Sequence, residues 1–205
     1  MRRSRLCGGL LAAVVLLGAG ELAAQETGTP MFKAPYRSFT NHELGVGFSD
    51  PGDAVQYALE GFYSYGRGSN DFGLRAGIAD PEEGDMRILL GGNFRTRVLS
   101  YSESFPLDGA LTVGAGLNFG DGDDLIYLPV GLSVGRRFEL EGSKTTFTPY
   151  VHPTLIPVIG AQGGSDVGFA LGLGVDMRLG DNWSVGVSGG LGDLEGVGLA
   201  LTYLK

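Results

Sequence analysis

The sequence predicts an all-β fold: a closed, antiparallel, up-and-down transmembrane β-barrel of about ten strands, with eight as the alternative count. Three observations predict it. The chain alternates with a period of two from Phe72 to Tyr203, the non-apolar half of that alternation is glycine and other small residues, and the connections sort their charge by side. In Val167–Leu179 the odd positions are all apolar, whereas the even ones read Gly, Ala, Gly, Gly, Asp, Arg. Period two sends successive side chains to opposite faces of a strand. A soluble half-buried strand would turn Lys, Glu, Thr and Gln to water. A face of Gly, Ala, Ser and Thr suits a narrow lumen, so the apolar face must look outward into lipid.

Glycine fills 37 of 205 positions, well above the usual share of about 7%. No Gly-X-Y period exists, and the glycines sit inside alternating strands, which excludes collagen and flexible linker compositions.

The chain opens with a leader. Arg2, Arg3 and Arg5 form a positive region, Leu10–Leu17 an apolar one, and Leu22-Ala23-Ala24 a cleavage point before Gln25. Residues 1–24 therefore read as a cleaved signal peptide, because the apolar run is too short to span about 30 Å of hydrocarbon. Cys7 leaves with it, so disulfides are not expected in the mature chain. Removing residues 1–24 takes away three arginines and one glutamate, leaving 12 basic against 22 acidic residues, a net charge of −10. Nucleic acid selects basic surfaces and is not an expected partner. No later run of about 18 apolar residues offers a helical span.

A polar N-terminal segment, Gln25–Arg37, precedes the barrel, residues 38–205. The expected strands are Phe39–Phe48, Ala54–Tyr65, Asp71–Ala79, Met86–Ser100, Leu107–Phe119, Leu125–Phe138, Thr145–Ile159, Val167–Leu179, Trp183–Ser188 and Gly196–Tyr203. Turn residues separate them, among them Gly66–Asn70, Asp80–Asp85, Gly120–Asp124, Gly160–Asp166 and Gly180–Asn182. Closure is required in a bilayer, where no water satisfies a free strand edge.

Charge sorts by side. Alternate connections carry Asp50, Asp53, Asp80, Glu82, Glu83, Asp85, Asp121, Asp123, Asp124, Asp166, Asp193 and Glu195 and no Lys or Arg. The other end mixes Arg67, Arg136, Arg137, Lys144 and Arg178 with Asp71, Glu103, Glu139, Glu141 and Asp181. Tyr65, Phe72, Phe138, Phe147, Trp183 and Tyr203 fall on outward positions near this mixed end, where a membrane girdle belongs. Phe48, Phe119 and Phe169 make a thinner outer girdle. A lipocalin-like soluble barrel would turn Gly114, Gly116, Gly172, Gly174, Gly196 and Gly198 to water, a poorly solvated wall.

With this pattern the chain resembles the small outer-membrane β-barrel families of Gram-negative bacteria, of the OmpA-transmembrane or opacity type. The last strand, GVGLALTY, is similar to their C-terminal assembly signal at Gly198, Leu201 and Tyr203, and departs from it at Gly196 and Lys205. The resemblance implies the cell outer membrane as location, with its lipids and the barrel-assembly machinery as partners.

Parity places Glu43, Glu60, Arg75, Arg87, Arg95, Arg97, His152, Asp176 and Arg178 in the lumen. Unpaired burial is costly, so a structural network of ion pairs is expected there. A narrow, porin-like channel with an arginine stripe favouring anions is the alternative. Interiors of about eight strands are filled by side chains. Pro149, Pro153 and Pro157 share a parity on one strand and withhold three donors from one ladder, which marks a bulged strand or a lateral seam open to a lipid tail. Of the two histidines, His42 points outward and His152 inward, and no serine and carboxylate join His152 at a spacing that makes a triad. An enzyme is not expected, and a lipid hydrolase or acyltransferase is the third reading. No cofactor or resident metal is expected. The acidic loops DPEEGD and GDGDD offer carboxylates to divalent cations, without EF-hand spacing.

Overall fold

A computed structural model describes residues 26–52, 55–120, 124–160 and 163–205. The leader and its cleavage point, Asp53, Ala54, Asp121 and Asp123 lie outside the described residues. Twelve strands follow one another: β1 (His42–Asp50), β2 (Val55–Arg67), β3 (Asn70–Pro81), β4 (Arg87–Leu99), β5 (Asp108–Phe119), β6 (Leu125–Tyr127), β7 (Val130–Gly135), β8 (Phe138–Glu139), β9 (Thr146–Gly160), β10 (Ser165–Leu179), β11 (Trp183–Gly192) and β12 (Gly196–Leu204). Strands β6, β7 and β8 occupy one position between β5 and β9, so the wall has ten staves.

Every stave pairs antiparallel with its chain neighbours, and β1 pairs β12 from Glu43↔Leu204 to Asp50↔Val197. The sheet therefore closes. The expected first strand exists, although it begins at His42 rather than Phe39, because residues 38–41 are the approach to it. The ninth stave runs on to Gly192, past the expected end at Ser188, since its alternation continues through glycines.

The one expected strand at Leu125–Phe138 is broken into three pieces, and the prolines of β9 explain the breaks. The register across this seam is constant: Tyr127↔Val158, Val130↔Leu155, Val134↔Val151 and Phe138↔Phe147. Odd residues of β9 face the broken stave with their backbone polar groups. Leu128 N donates to the Pro157 carbonyl at 2.9 Å and Arg136 N to the Pro149 carbonyl at 3.3 Å, but no N–H returns from either proline. The pieces end at these positions. On the other side of β9 the ladder with β10 is continuous from Thr146 to Ile159. The three prolines thus thin one ladder of β9, interrupted on the β6–β8 side, while the ladder on the β10 side is continuous and the register holds throughout.

Parity divides the wall as expected. Leu44, Leu74 and Val167 are 62%, 67% and 63% exposed on the outer face, and the core lies inside the barrel. Two apolar clusters close the lumen toward the acidic end. One contains Phe32, Tyr127, Ile156, Val158, Ala170 and Leu194; the other contains Ala58, Ala79 and Leu89. Leu194 reaches inward from the β11–β12 connection, which turns at Gly192 (φ 96°) and Gly196 (φ 113°), conformations that glycine adopts without strain.

Candidate functional site: the barrel lumen

The lumen is occupied by the chain's own N-terminal segment. Residues 26–37 enter at the mixed-charge end, where Asn41 N bonds the Lys205 carbonyl at 3.0 Å, and run upward inside the wall. The segment forms no helix or strand; Pro30 and Pro35 punctuate it, and Gly28 turns it at φ 81°. Ala34, Thr27 and Thr29 are no more than 1% exposed, and Met31 and Phe32 are 6% exposed. Burying two side chains of this size stabilises the seating by about 1.5–3 kcal/mol each.

The inward glycines are the mould for this segment. A Cβ at Gly47 would overlap the Met31 side chain, one at Gly172 the Phe32 ring, and ones at Gly114 and Gly116 would overlap Glu26. At Gly198 it would stand 3.1 Å from Met31 Cγ and from the Pro30 carbonyl. Other glycines make room for large wall residues: Gly45 for Phe62, Gly174 for Tyr150 and Gly131 for His152. Glycine on this face is therefore filled space.

Wall side chains hold the segment's backbone. Ser188 Oγ donates to the Pro30 carbonyl at 2.6 Å, Tyr150 to Phe32 O at 2.9 Å and Ser133 Oγ to Lys33 O at 2.7 Å. Arg95 donates to Ala34 O. The hydroxyls of Thr27 and Thr29 each donate to one oxygen of Glu60 at 2.7 Å.

The expected lumen residues divide into those brought together and those held apart. Arg75 lies between Glu60 and Glu26, with nitrogen–oxygen separations of 3.9 and 3.5 Å. Arg95 Nε donates to Asp71 Oδ2 at 2.9 Å, its cross-strand partner. Glu43 stands 4.0 Å from Lys33 Nζ, which donates to Asn93 Oδ1 at 3.2 Å. Asp176 faces the same cavity as Lys33, Glu43 and Arg95, a space of about 70 Å³. His152 Nε2 hydrogen-bonds the Thr112 hydroxyl at 2.8 Å, and its ring meets Phe32 edge-on at 5.7 Å.

Arg87, Arg97 and Arg178 lie away from this centre. Arg87 bonds Asn118 at 2.5 and 3.0 Å. Arg97 and Arg137 flank the Tyr36 ring at 5.4 and 4.6 Å. Arg178 donates to the Gly180 and Asp181 carbonyls of its own turn at 3.1 and 2.9 Å. Each of these arginines faces a carboxylate, an amide, a carbonyl or a ring.

Sequence reasoning missed Glu26, Thr27, Thr29, Lys33 and Tyr36, because an aperiodic segment announces no location. The signal was Met31-Phe32, two bulky apolar residues in a polar stretch, beside an unfilled glycine face. It also set Asp71 at the rim, whereas Asp71 faces inward and is buried.

Outside, Tyr65, Phe72, Phe138, Trp183 and Tyr203 are exposed at the mixed-charge end, and the half-buried Phe147 sits across from Phe138 there. Phe138 stacks on Phe147 at 5.2 Å, and Trp183 meets Tyr203 at 5.4 Å. His42 is also outward, bonded to the Tyr63 hydroxyl at 2.8 Å. At the exposed rim Lys144 donates to Asp181 at 2.5 Å and holds that carboxyl below its ordinary value. Among the described residues, no group of three or more His, Cys, Asp or Glu stands together to hold a metal.

A closed antiparallel barrel with an apolar exterior and a polar, filled interior is an integral membrane β-barrel. The chain matches the outer membrane protein beta-barrel domain family over residues 9–198. It belongs to that family, and its place is the outer membrane. No curated protein matches it. Among solved structures it is similar to one titled bacterial polysaccharide outer membrane secretin, at 12% identity and a TM-score of 0.44, with 73% of this chain covered. The chain spans 56% of that protein's length.

Proposed function

We propose that the protein is a structural component of the Gram-negative cell envelope, a barrel whose lumen is closed at rest by its own N-terminal segment. The carrying observation is the fit of Met31 and Phe32 against Gly47 and Gly172, which fills the space that a channel would need. The buried ion pairs Arg75–Glu60 and Arg95–Asp71 serve as interior scaffolding in this reading. Export by the cleaved leader and insertion by the barrel-assembly machinery belong to the same proposal, as do the aromatic girdle and its contact with outer-membrane lipids. Planar-bilayer recordings of the purified protein test it. Traces closed for nearly all of the record are expected, and a steady open conductance at neutral pH would overturn it.

A further inference from the structure

We propose that residues 26–37 are a withdrawable strap, and that the barrel becomes a water-filled pore when the strap leaves through the mixed-charge end. This rests on the closed resting lumen proposed above. The wall closes without the strap: the ladder runs through all ten staves and includes none of residues 26–37. The strap bonds to the wall through exchangeable side-chain contacts. Its carbonyls accept from Ser188, Tyr150, Ser133 and Arg95, four donors that water can replace.

The wall keeps two buried charge pairs when the strap goes, while Glu43 gives up Lys33 and is left to water. Arg95 retains Asp71, and Arg75 retains Glu60. An emptied lumen would therefore hold these two pairs and the Glu43 carboxylate on a glycine face, a surface that hydrates readily. The exit is set by geometry. The strap is tethered to β1 at the mixed-charge end, while Leu194 and its apolar neighbours seal the other end. Phe32 belongs to that seal, so its departure loosens the far closure at the same time.

A disulfide gives a reversible lock. A Cβ placed on Gly91 lies 3.2 Å from the Cβ of Glu26, close to the roughly 3.8 Å that a disulfide spans. Three proteins are compared in planar bilayers: the native chain, the 26–37 deletion, and the double variant Glu26→Cys with Gly91→Cys. Brief native openings, an open fraction raised at least about tenfold by the deletion, and loss of openings on oxidation with return on reduction are expected. A native chain and a folded deletion that are both silent would overturn the gate and leave the closed lumen standing. Steady native conductance indifferent to oxidation would overturn the closed lumen itself. Should the deletion fail to fold, the disulfide pair decides: native openings abolished by oxidation support the strap, and their absence or indifference overturns it.

Discussion

The Thr27 hydroxyl donates to Oε1 of Glu60 at 2.7 Å, and Thr29 donates to Oε2 at the same distance. One Thr-Gly-Thr turn thus caps both oxygens of a carboxylate on β2, and Arg75 stands beside it. Glu60 ties two residues of the N-terminal segment to the wall. Glu60→Ala removes the acceptor of two hydroxyls and leaves Arg75 with Glu26 alone. Breaking a buried pair from one side costs about 3–5 kcal/mol, and Thr27→Val about 1.5–3 kcal/mol because its hydrogen bond is to a charged group. Urea unfolding in detergent, followed through the single tryptophan, Trp183, should rank Glu60→Ala below Thr27→Val and both below the native chain. Equal midpoints would show that the capping carries no stability.

Gly172 and Phe32 offer a test by size exchange. A Cβ on Gly172 would overlap the Phe32 ring, so Gly172→Leu forces the ring off its seat and costs about 1–3 kcal/mol by overpacking. Phe32→Ala alone loses about 3–5 kcal/mol as a buried aromatic truncated to a cavity. Combined, the leucine enters the space the ring vacated. The double variant should be more stable than the sum of the two losses predicts, with a coupling energy of about 0.5–3 kcal/mol. Simple additivity would place Phe32 elsewhere.

The wall was legible because its signals are local. Val167–Leu179 shows on its own which residues face lipid, and β10 spans Ser165–Leu179. Parity also placed Glu60, Arg75, Arg95 and His152 inside, where all four are buried. Pairing was not legible, since it depends on register between strands: Asp71 meets Arg95 only because β3 and β4 align Asp71↔Arg95. The strap was the least legible part. Its residues have no period, and what fixes them is the shape of a cavity assembled from glycines on distant strands. Glycine patterning showed which face was small without showing what the space was for.

Lys144 and Asp181 make a pH prediction at the exposed rim. The hydrogen bond from the Lys144 ammonium, at 2.5 Å, favours the ionised carboxylate and lowers its pKa. A depressed carboxylate contributes stability that is present above the unfolded value, about 3.9 for Asp, and is lost as pH falls through the folded one. Both partners are exposed, so the contribution is screened. Lys144→Ala should return the Asp181 titration to the ordinary range in an NMR pH series, while the neutral-pH unfolding midpoint stays unchanged. An unmoved titration would mean that the pair does not persist in solution.

The proline seam makes the opposite kind of prediction, that a substitution strengthens the barrel. Pro149 and Pro157 accept from Arg136 N and Leu128 N without donating in return, and Pro153 occupies the equivalent place between them. The carbonyls of Arg136, Leu132 and Leu128 therefore lack the donor that an ordinary residue would supply. Replacing all three prolines by alanine restores three N–H groups directed at one ladder. Each restored hydrogen bond is worth about 0.5–1.5 kcal/mol net, and the greater freedom that alanine gives the unfolded chain offsets about 0.4–1 kcal/mol per site. The stability gain should therefore be small, whereas local protection should rise clearly. Amide exchange at Val130, Val134 and Phe138 should slow by about tenfold, the change that each added 1.4 kcal/mol of local opening free energy brings. Unchanged exchange would show that β6, β7 and β8 are separated by something other than the prolines opposite them.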